Sequence, residues 1–316
     1  MTSAIVATQE TGLLLIHAQT ALHPGSGTAL GAVDLPVQRE RHTQWPTIAG
    51  SALKGILRDS CREEARHSYG GDRKKANEED PDLIAAFGPG KVDESSSHAG
   101  ALSVTDARIL AFPVRSLRGV FAWVTCMDVL QRLQRDLGLA KMDGMTLPEE
   151  PGKEKALCAG ASDLLVGGDK LVLEEFEFQR TGDAGGVAEW IGERMPDELT
   201  RKRLRTHLAV LHNDDFTHFV RHATEVTARI GLDYESKTVK SGALFYQEFL
   251  PAETIFYSLV LTSASRRKDC ARSAADILAY LRARLDSVRV LQIGGDETTG
   301  KGLCAVRLVN GKVGGP

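Results

Sequence analysis

Apolar residues near the start of the chain follow two patterns, one typical of a strand and one typical of a helix. Residues 11–20 (TGLLLIHAQT) form a short apolar run, which indicates a buried strand. Further on, Leu53, Ile56 and Leu57 recur at helical spacing within residues 51–66. The pattern therefore predicts a strand, a long connecting loop and an amphipathic helix.

The last quarter of the chain has the clearest alternation of strand and helix patterns. We predict a strand at 254–262, a helix at 269–285 and strands at 287–293 and 303–309. This is a β-α-β-β order, and the start of the chain reads β-α-β. The two ends together predict an α+β protein with a ferredoxin-like (RRM-type) core that is interrupted by long insertions.

The middle of the chain predicts further elements with weaker patterns. Thr125 is a candidate N-cap for a helix that runs to Leu137, and residues 140–168 have the composition of a loop. A strand is predicted at 171–178 and a helical region at 197–222.

Two further segments define the expected domain organisation. Residues 68–99 are rich in Gly, Lys, Asp, Glu and Ser and predict a mobile insertion with one short helical turn around 83–87. β-Branched and aromatic residues on both sides of a polar turn predict a β-hairpin over about 226–248. We therefore expect one domain over 1–316, with a second, mixed insertion at 140–222.

Composition and charge exclude some classes of protein but do not identify a binding partner. The chain has 316 residues, 42% of them hydrophobic, and a net charge of −3, so any phosphate-binding surface has to be local. Its five cysteines include no C-x-x-C pair, which argues against a disulfide framework or a cysteine-rich zinc site. No signal-peptide pattern and no apolar run long enough to span a bilayer are present, so a cytoplasmic protein is expected.

The candidate chemistry is concentrated in the loop that precedes the first predicted helix. Glycines at 25, 27 and 31 allow the backbone to approach a ligand closely. Asp34 is an isolated acid between apolar neighbours, with Arg39 and Arg41 as its nearest potential partners along the chain. From residue type alone, Asp34 is a functional carboxylate or a residue that stabilises the loop by a turn or an ion pair.

The start of the predicted helix has the features of a site for an anionic polymer. Ser51 can cap the helix, whose first N–H groups then point outward. Lys54 and Arg58 lie one turn apart on the same face.

Two motifs suggest other chemistry but lack parts of the required pattern. The segment GDETTGKG at 295–302 resembles a P-loop, but Gly302 replaces the magnesium-binding Ser or Thr and a strand is predicted where a helix is required. It is better interpreted as a Gly-rich turn whose Lys301 could contact a phosphate backbone. His218 and His222 have the i, i+4 spacing of zinc ligands, but the Glu expected after the first His of a metalloprotease helix is absent, so structural histidines are the better interpretation and no metal ligand set is predicted.

Four blocks of the sequence resemble a known family. These blocks are HPGSGTALGAVDLPVQRERHTQWPTIAGSALKGILRD, ALSVTDARILAFPVRSLRGVFAWVT, HATEVTARIGLDYESKTVKSGALFYQEFLPAETIFYS and LQIGGDETTGKGLCAVRL. They resemble the backbone nucleases of type III-B CRISPR effector (Cmr) complexes, which belong to the RAMP superfamily. The resemblance covers nearly the whole chain, and residues 68–99 and 140–168 contribute little to it.

The resemblance implies a fold and an activity. It implies an RRM-like core with an extended β-hairpin, the thumb, here at about 226–248. Copies of such a protein stack along a CRISPR RNA beside other Cmr subunits. Their thumbs interrupt the guide–target duplex, and each copy cuts the complementary target RNA once beside its thumb, in antiviral defence.

The resemblance also implies roles for individual residues. The family's catalytic aspartate maps onto Asp34, and His23, Tyr246 and Glu248 are further candidates for the catalytic site. RNA-binding candidates lie on the first helix and in the Gly-rich turn: Ser51, Lys54, Arg58, Gly294, Gly295 and Lys301. Asp34 would act as a general base, or would hold a divalent cation such as magnesium, and the sequence does not separate these roles.

Two alternatives remain open at the level of sequence. The chain could be an architectural RNA-binding subunit in which Asp34 only stabilises the loop. It could also process the precursor of the guide RNA, for which a histidine-centred acid–base pair built on His23 or His42 would be expected.

Overall fold

The computed structural model of the protein describes residues 9–91, 98–267 and 269–310. The first part of the chain contains five strands and three α-helices in this order: β1 (Glu10–Ala18), β2 (Thr47–Ile48), α1 (Gly50–Ala65), α2 (Arg73–Glu79), α3 (Pro81–Phe87), β3 (Leu102–Val104), β4 (Ala107–Arg115) and β5 (Phe121–Cys126).

The middle part adds five strands and four α-helices: α4 (Met127–Leu139), β6 (Lys155–Cys158), β7 (Leu165–Val166), β8 (Lys170–Leu173), β9 (Phe176–Gly182), α5 (Gly185–Arg194), α6 (Glu198–His207), β10 (Leu208–Leu211) and α7 (Asn213–His222). The last part adds five strands and one α-helix: β11 (Glu225–Leu232), β12 (Val239–Phe249), β13 (Ile255–Thr262), α8 (Ala274–Val288), β14 (Val290–Gln292) and β15 (Leu303–Asn310).

Thirteen of the strands join into one mixed sheet. Eleven of them follow the order β14-β15-β1-β13-β4-β5-β10-β6-β9-β8-β7, while β2 pairs with β4 and β3 pairs with β13. Most neighbours are antiparallel, and the parallel pairs are β5 with β10 and β6 with β9. The predicted α+β class is therefore confirmed as helices packed with a large mixed sheet.

The apolar patterns at both ends of the chain produce the central part of this sheet. β1 pairs with both β13 and β15, and its residues Leu13–Ile16 are fully buried. On α1, Leu53 and Leu57 are buried, and α8 contributes Leu281 and Leu285 to the same core. Burial of this many large apolar side chains is the main stabilising contribution to the fold.

The middle of the chain departs from the predicted elements. The helical region predicted at 197–222 is wrong in its centre, because residues 208–211 (LAVL) form the buried strand β10 between β5 and β6. The strand predicted at 171–178 is divided into β8 and β9 by a turn in which Glu174 has a positive φ of 50°. The loop predicted at 140–168 contains β6 and β7. β6 and β10 pair with strands distant in sequence, which local patterns do not report, whereas β7 pairs with β8, the next strand along the chain.

Residues 68–99 contain more helix than predicted. Asp72 and Asp80 accept hydrogen bonds from the N–H groups of Lys75 and Leu83, and so cap α2 and α3 in succession. The short helix predicted around 83–87 is confirmed as α3, whose residues 83–87 are all buried, and α2 is a second helix that was not predicted. Residues 92–97 lie outside the described part of the chain, and the mobility of this segment stays a prediction.

The predicted N-cap of the second long helix is wrong. Helix α4 starts after Cys126, and the side chain of Thr125 lies fully buried in β5. The Asn213 side chain at the start of α7 accepts the N–H of Asp128 at 3.1 Å instead. In the part of the chain that the structure describes, no helix is both long and apolar enough to span a bilayer.

β11 and β12 form a separate two-stranded sheet outside the large one. They pair antiparallel from Glu225 with Phe249 to Leu232 with Val239, with an irregularity after Ile230. Apolar side chains along the hairpin are half exposed, while Phe249 at its base is buried. The hairpin thus has a buried base and an exposed body.

Candidate functional site

The loop that carries Asp34 lies along the outer edge of β12. The main-chain N–H groups of Asp34 and Leu35 donate to the carbonyl of Tyr246 at 3.1 and 3.0 Å. The N–H of Glu248 donates to the carbonyl of Leu35 at 3.0 Å, and Leu35 forms a parallel bridge with Gln247. Asp34 is therefore held by strand-like pairing with the base of the hairpin.

The two oxygens of the Asp34 carboxylate have different surroundings. Oδ2 accepts the main-chain N–H of Tyr246 at 2.7 Å. Oδ1 accepts no hydrogen bond from the described residues, and the side chain is partly exposed. An ion pair of Asp34 with Arg39 or Arg41, considered from the sequence, is not among the contacts of the described residues. Asp34 thus has one oxygen that orients it and one that is available to a ligand.

Glu248 has a different position and different contacts. Its carboxylate is buried, with Oε2 accepting the N–H of Val37 at 2.9 Å and Oε1 paired with Arg39 Nη2 at 2.6 Å. Arg39 also donates to the carbonyls of Gln44 and Val220. Both oxygens of Glu248 therefore tie the Asp34 loop to the hairpin.

His23 is buried beneath the same loop. Its Nδ1 lies 2.7 Å from the carbonyl oxygen of Glu248, and because a carbonyl only accepts, Nδ1 carries the proton. The His23 ring packs against Phe249 with 5.6 Å between the ring centroids. Gly25 lies so near the ring that a Cβ at this position would clash with Nε2. The nearby Gly27 and Gly31 are exposed, with open space around them.

Tyr246 contributes its main chain to the Asp34 contact and exposes its ring. The side chain is 41% exposed and lies on the opposite face of β12 from Gln247. The ring is therefore accessible beside the hairpin base.

The Gly-rich turn between β14 and β15 meets the Asp34 loop at His23. The N–H of Gly295 donates to the His23 carbonyl at 3.0 Å, and Gly294 (φ 83°) approaches that carbonyl so closely that a Cβ would clash. Lys301 Nζ lies 5.1 Å from the centroid of Phe249. The segment is followed by β15 and not by a helix, which agrees with the turn interpretation and not with a P-loop.

Two contacts at this site were not expected from the sequence. Asp296 of the Gly-rich turn contacts Gln247 of β12 and Arg229 of β11, at 2.6 and 2.9 Å. Asp296 lies within the segment GDETTGKG, but that pattern gives no sign of a contact with the hairpin, because Gln247 is 49 residues away in the sequence.

The candidates on α1 share no hydrogen bond or ion pair with the Asp34 loop among the described residues. Ser51 does not cap the helix, because α1 starts one residue earlier and its first N–H, from Gly50, donates to Asp106 Oδ1 at 2.7 Å. Gly50 packs closely against the main chain of the turn after β3. This packing places Asp106 beside the start of α1, where its carboxylate accepts the Gly50 N–H. Ser51 is exposed in the first turn.

Lys54 and Arg58 are partly buried cations with cationic neighbours. Burial lowers the pKa of Lys54, and the nearby Arg58 and Arg266 lower it further. Burial and then Arg62 lower the pKa of Arg58, whose Nε donates to Asn77 Oδ1 at 3.2 Å. A surface where cations repel one another attracts an anionic ligand.

Among the described residues, the histidine pair on α7 makes no hydrogen bond with the Asp34 loop, but Arg39 lies near enough to His222 to be one of the cations that, after burial, lower its pKa. The rings of His218 and His222 are 4.8 Å apart, and Phe176 packs against His218. In residues 9–91, 98–267 and 269–310, no cluster of three or more His, Cys, Asp or Glu side chains could hold a metal ion.

Comparison with known proteins identifies relatives along the whole chain. The model of the RAMP superfamily matches residues 15–305. The chain is 38% identical over 300 residues to the CRISPR system Cmr endoribonuclease Cmr4 of Pyrococcus furiosus, covering 94% of this chain and 95% of that protein. It is 25% identical to the CMR subunit Cmr4 of Saccharolobus solfataricus, covering 93% and 95%.

Solved structures show the same similarity in three dimensions. The crystal structure of oligomeric Cmr4 from Pyrococcus furiosus superposes with a TM-score of 0.68 at 31% identity, over 95% of this chain and 98% of that one. A chain in the cryo-EM structure of a type III-B Cmr-beta complex bound to cognate target RNA gives 0.69 at 22% identity, over 94% and 96%. At 22% identity, the similarity to the Cmr-beta chain shows a shared fold and nothing further.

Proposed function

Because this chain belongs to the RAMP superfamily, we propose that it is the CRISPR RNA-binding backbone subunit of a type III-B (Cmr) effector complex and its guide-dependent endoribonuclease. It cuts target RNA complementary to the guide at regular intervals, in antiviral defence. The observation that carries the proposal is Asp34, a carboxylate fixed beside the hairpin base with one oxygen open.

The proposed reaction uses the RNA's own 2′-hydroxyl. Asp34 Oδ1 accepts the proton of that hydroxyl, the O2′–P bond forms and the P–O5′ bond breaks. The products are a 2′,3′-cyclic phosphate and a 5′-hydroxyl that takes up a proton. The attack needs the 2′-oxygen, the phosphorus and the 5′-oxygen in line, and a hairpin inserted into the duplex splays the backbone into that geometry.

A divalent cation such as magnesium is compatible with the same residue. Magnesium in phosphate chemistry is commonly bound by one or two carboxylates together with substrate oxygens and water. The open oxygen of Asp34 fits one such position, and no other protein ligand is needed. When bound there, the ion would stabilise the charge that develops on the phosphate. Asp34 would then orient the RNA through the ion, and Tyr246 would keep the carboxylate in place.

The remaining candidates of the catalytic site hold Asp34 in place. Glu248 and His23 are buried and have their described hydrogen bonds within the hairpin base, which suits positioning better than proton transfer. Tyr246 fixes Asp34 through its main chain, and its exposed ring can stack on a base that is displaced from the duplex.

Guide RNA is held by two surfaces in this proposal. Lys54 and Arg58 contact phosphates, with Ser51 beside them in the first turn of α1. Gly294, Gly295 and Lys301 approach the backbone at the Gly-rich turn. Recognition through phosphate and sugar makes binding independent of the spacer sequence.

We also propose that the centre of the sheet is a ferredoxin-like core. The order β15-β1-β13-β4 is antiparallel throughout, with α1 between β1 and β4 in sequence and α8 between β13 and β15. That is the 4-1-3-2 arrangement of a βαββαβ unit. The whole chain is then one RAMP domain, with insertions at 68–99 and 140–222 and a thumb at 226–248.

The proposed partners follow from the same role. They are CRISPR RNA, complementary target RNA, further copies of this chain in a filament and the other Cmr subunits. The five cysteines are free thiols, which agrees with a reducing compartment such as the cytoplasm.

The alternative function, that of an architectural RNA-binding subunit, is not favoured by the similarity to a Cmr endoribonuclease, although one contact is compatible with it. The bond from Tyr246 N–H to Asp34 Oδ2 shows that this carboxylate also stabilises the loop. A guide-processing activity based on His23 is less compatible with the burial of that ring.

The test uses complexes reconstituted on one guide RNA, with wild-type protein or Asp34→Ala, and a labelled complementary RNA. We expect regularly spaced cuts from the wild type and none from the variant, with equal target binding. Equal cutting by both complexes would transfer the chemistry to another residue or subunit and leave this chain as a scaffold.

A further inference from the structure

Asp296 joins the Gly-rich turn to both arms of the hairpin through one carboxylate. Oδ2 accepts from Gln247 Nε2 on β12 at 2.6 Å, and Oδ1 pairs with Arg229 Nη2 on β11 at 2.9 Å. The side chains of Asp296 and Arg229 are only 20% and 26% exposed, so solvent screens this pair weakly. Each oxygen of Asp296 therefore restrains a different strand.

The backbone of Asp296 directs its carboxylate toward the hairpin. The residue has a φ of 64°, in the left-handed region that aspartate tolerates better than most residues. It precedes the short 3₁₀ turn Glu297–Thr299, where an aspartate would ordinarily cap the turn, yet its side chain makes no capping bond. The Asp296 carboxylate therefore bonds to β11 and β12 and not to the N–H groups of its own turn.

Gln247 lies between the two residues of β12 that hold the Asp34 loop. Tyr246 before it binds Asp34, and the N–H of Glu248 after it donates to the carbonyl of Leu35. Asp296 therefore reaches β12 within one residue of the bonds that position Asp34.

The same turn contacts the hairpin a second time, through Phe249. The Arg229 guanidinium lies 5.5 Å from the centroid of this ring and Lys301 Nζ lies 5.1 Å from it. Arg229 and Lys301 thus share one aromatic side chain at the hairpin base, and Asp296 neutralises the first of these cations.

We infer that Asp296 is a positioning residue, which sets the orientation of the hairpin relative to the Gly-rich turn and so aligns Asp34 with the RNA step to be cut. The inference rests on the proposed function, in which Asp34 acts on RNA and the turn contacts the guide. Misplacement of a reacting group by about 1 Å can lower a rate by about 100-fold. Loss of Asp296 should therefore reduce cutting without reducing RNA binding.

The test compares Asp296→Gly with the wild type in reconstituted complexes on one guide RNA. Glycine accepts the positive φ, so the variant removes the carboxylate and leaves the turn its conformation. At saturating labelled target, we expect a single-turnover rate about 10- to 100-fold lower, with additional cuts one nucleotide from the normal positions. The dissociation constant for target should change less than about 3-fold, since no proposed RNA contact is removed.

Two further variants serve as controls. Glu297→Ala removes the same charge from the adjacent residue, whose side chain is exposed, and should cut at the wild-type rate and positions. If Asp296 acts through Arg229, then Arg229→Gln should lower the rate, and the double variant should be no slower than Asp296→Gly. Additive losses in the double variant would overturn this mechanism.

The outcomes separate this inference from the proposed function. If Asp34→Ala abolishes cutting and Asp296→Gly cuts at the wild-type rate and positions, only the inference fails. If Asp34→Ala cuts normally, the proposed function fails whatever Asp296→Gly does. A loss of target binding that matches the loss of rate would make Asp296 an RNA-binding residue and overturn its positioning role. If Asp296→Gly prevents assembly, the isosteric Asp296→Asn replaces it, with an expected loss of about 3- to 10-fold, and a wild-type rate would refute the inference.

Discussion

Two acids at the base of the hairpin, Asp34 beside β12 and Glu248 within it, have the same charge and different surroundings. Asp34 is partly exposed, and a single hydrogen bond to one oxygen leaves the other open. Glu248 is 6% exposed, and its two oxygens bind Arg39 and the N–H of Val37. A carboxylate with both oxygens satisfied in the interior stabilises the protein, whereas one with an open oxygen can take part in chemistry. Hydrogen bonding and burial, and not residue type, distinguish the two carboxylates.

The largest effect is expected for Asp34→Asn. Asparagine keeps an oxygen that can accept the Tyr246 N–H but is a much weaker base, so cutting should fall by about 10²- to 10⁴-fold. Single-turnover cleavage by the reconstituted complex measures the rate, and thermal unfolding of the isolated variant serves as the control. A variant that loses stability together with activity would break the comparison, because Asp34 would then act as Glu248 does.

Glu248→Gln should mainly change stability. It leaves the Arg39 guanidinium without its anionic partner in a mostly buried position, which should lower the free energy of unfolding by about 2–4 kcal/mol. Denaturant unfolding of the purified chain checks this value. The double variant with Arg39→Gln should recover part of the loss, since the unpaired cation is also removed. If the single variant were as stable as the wild type and did not cut, Glu248 would be catalytic.

His23 offers a smaller and more specific test. His23→Ala removes the donor to the Glu248 carbonyl and should cost about 1–2 kcal/mol of stability. His23→Asn can supply a donor near the same place, and its complex should cut at a rate within about 10-fold of the wild type with an unchanged pH profile. A lost limb in the pH–rate profile would instead identify His23 as a proton-transfer group.

The smallest effects concern the start of α1. Asp106→Ala removes the acceptor of the Gly50 N–H and should lower the free energy of unfolding by about 0.5–2 kcal/mol. Ser51→Ala changes an exposed residue without a capping bond and should stay within about 0.5 kcal/mol of the wild type. Equal losses in urea unfolding of both variants would show that Ser51 shares the capping role. A guide-binding assay on the Ser51 variant tests its proposed RNA contact separately.

Sequence patterns predicted the parts of the fold in which local periodicity and burial agree. The apolar run at 11–20 became β1, and the stripe at Leu53 and Leu57 became the buried face of α1. The helix predicted over 197–222 was wrong at β10. A run of four apolar residues next to a helical pattern does not show whether those residues continue the helix or form a buried strand. The prediction was also wrong at Ser51, because the competing cap, Asp106, lies far along the chain.

The sequence by itself determined the main strands and helices, the family resemblance and the position of Asp34 in a Gly-rich loop. Only the tertiary structure decided which oxygen of Asp34 is open, since its partner Tyr246 lies 212 residues away. The same holds for the burial of His23 and Glu248 and for the contacts of Asp296 with Arg229 and Gln247. Helical and strand periodicity act over a few residues, while hydrogen bonds between distant segments depend on how the sheet brings its loops together.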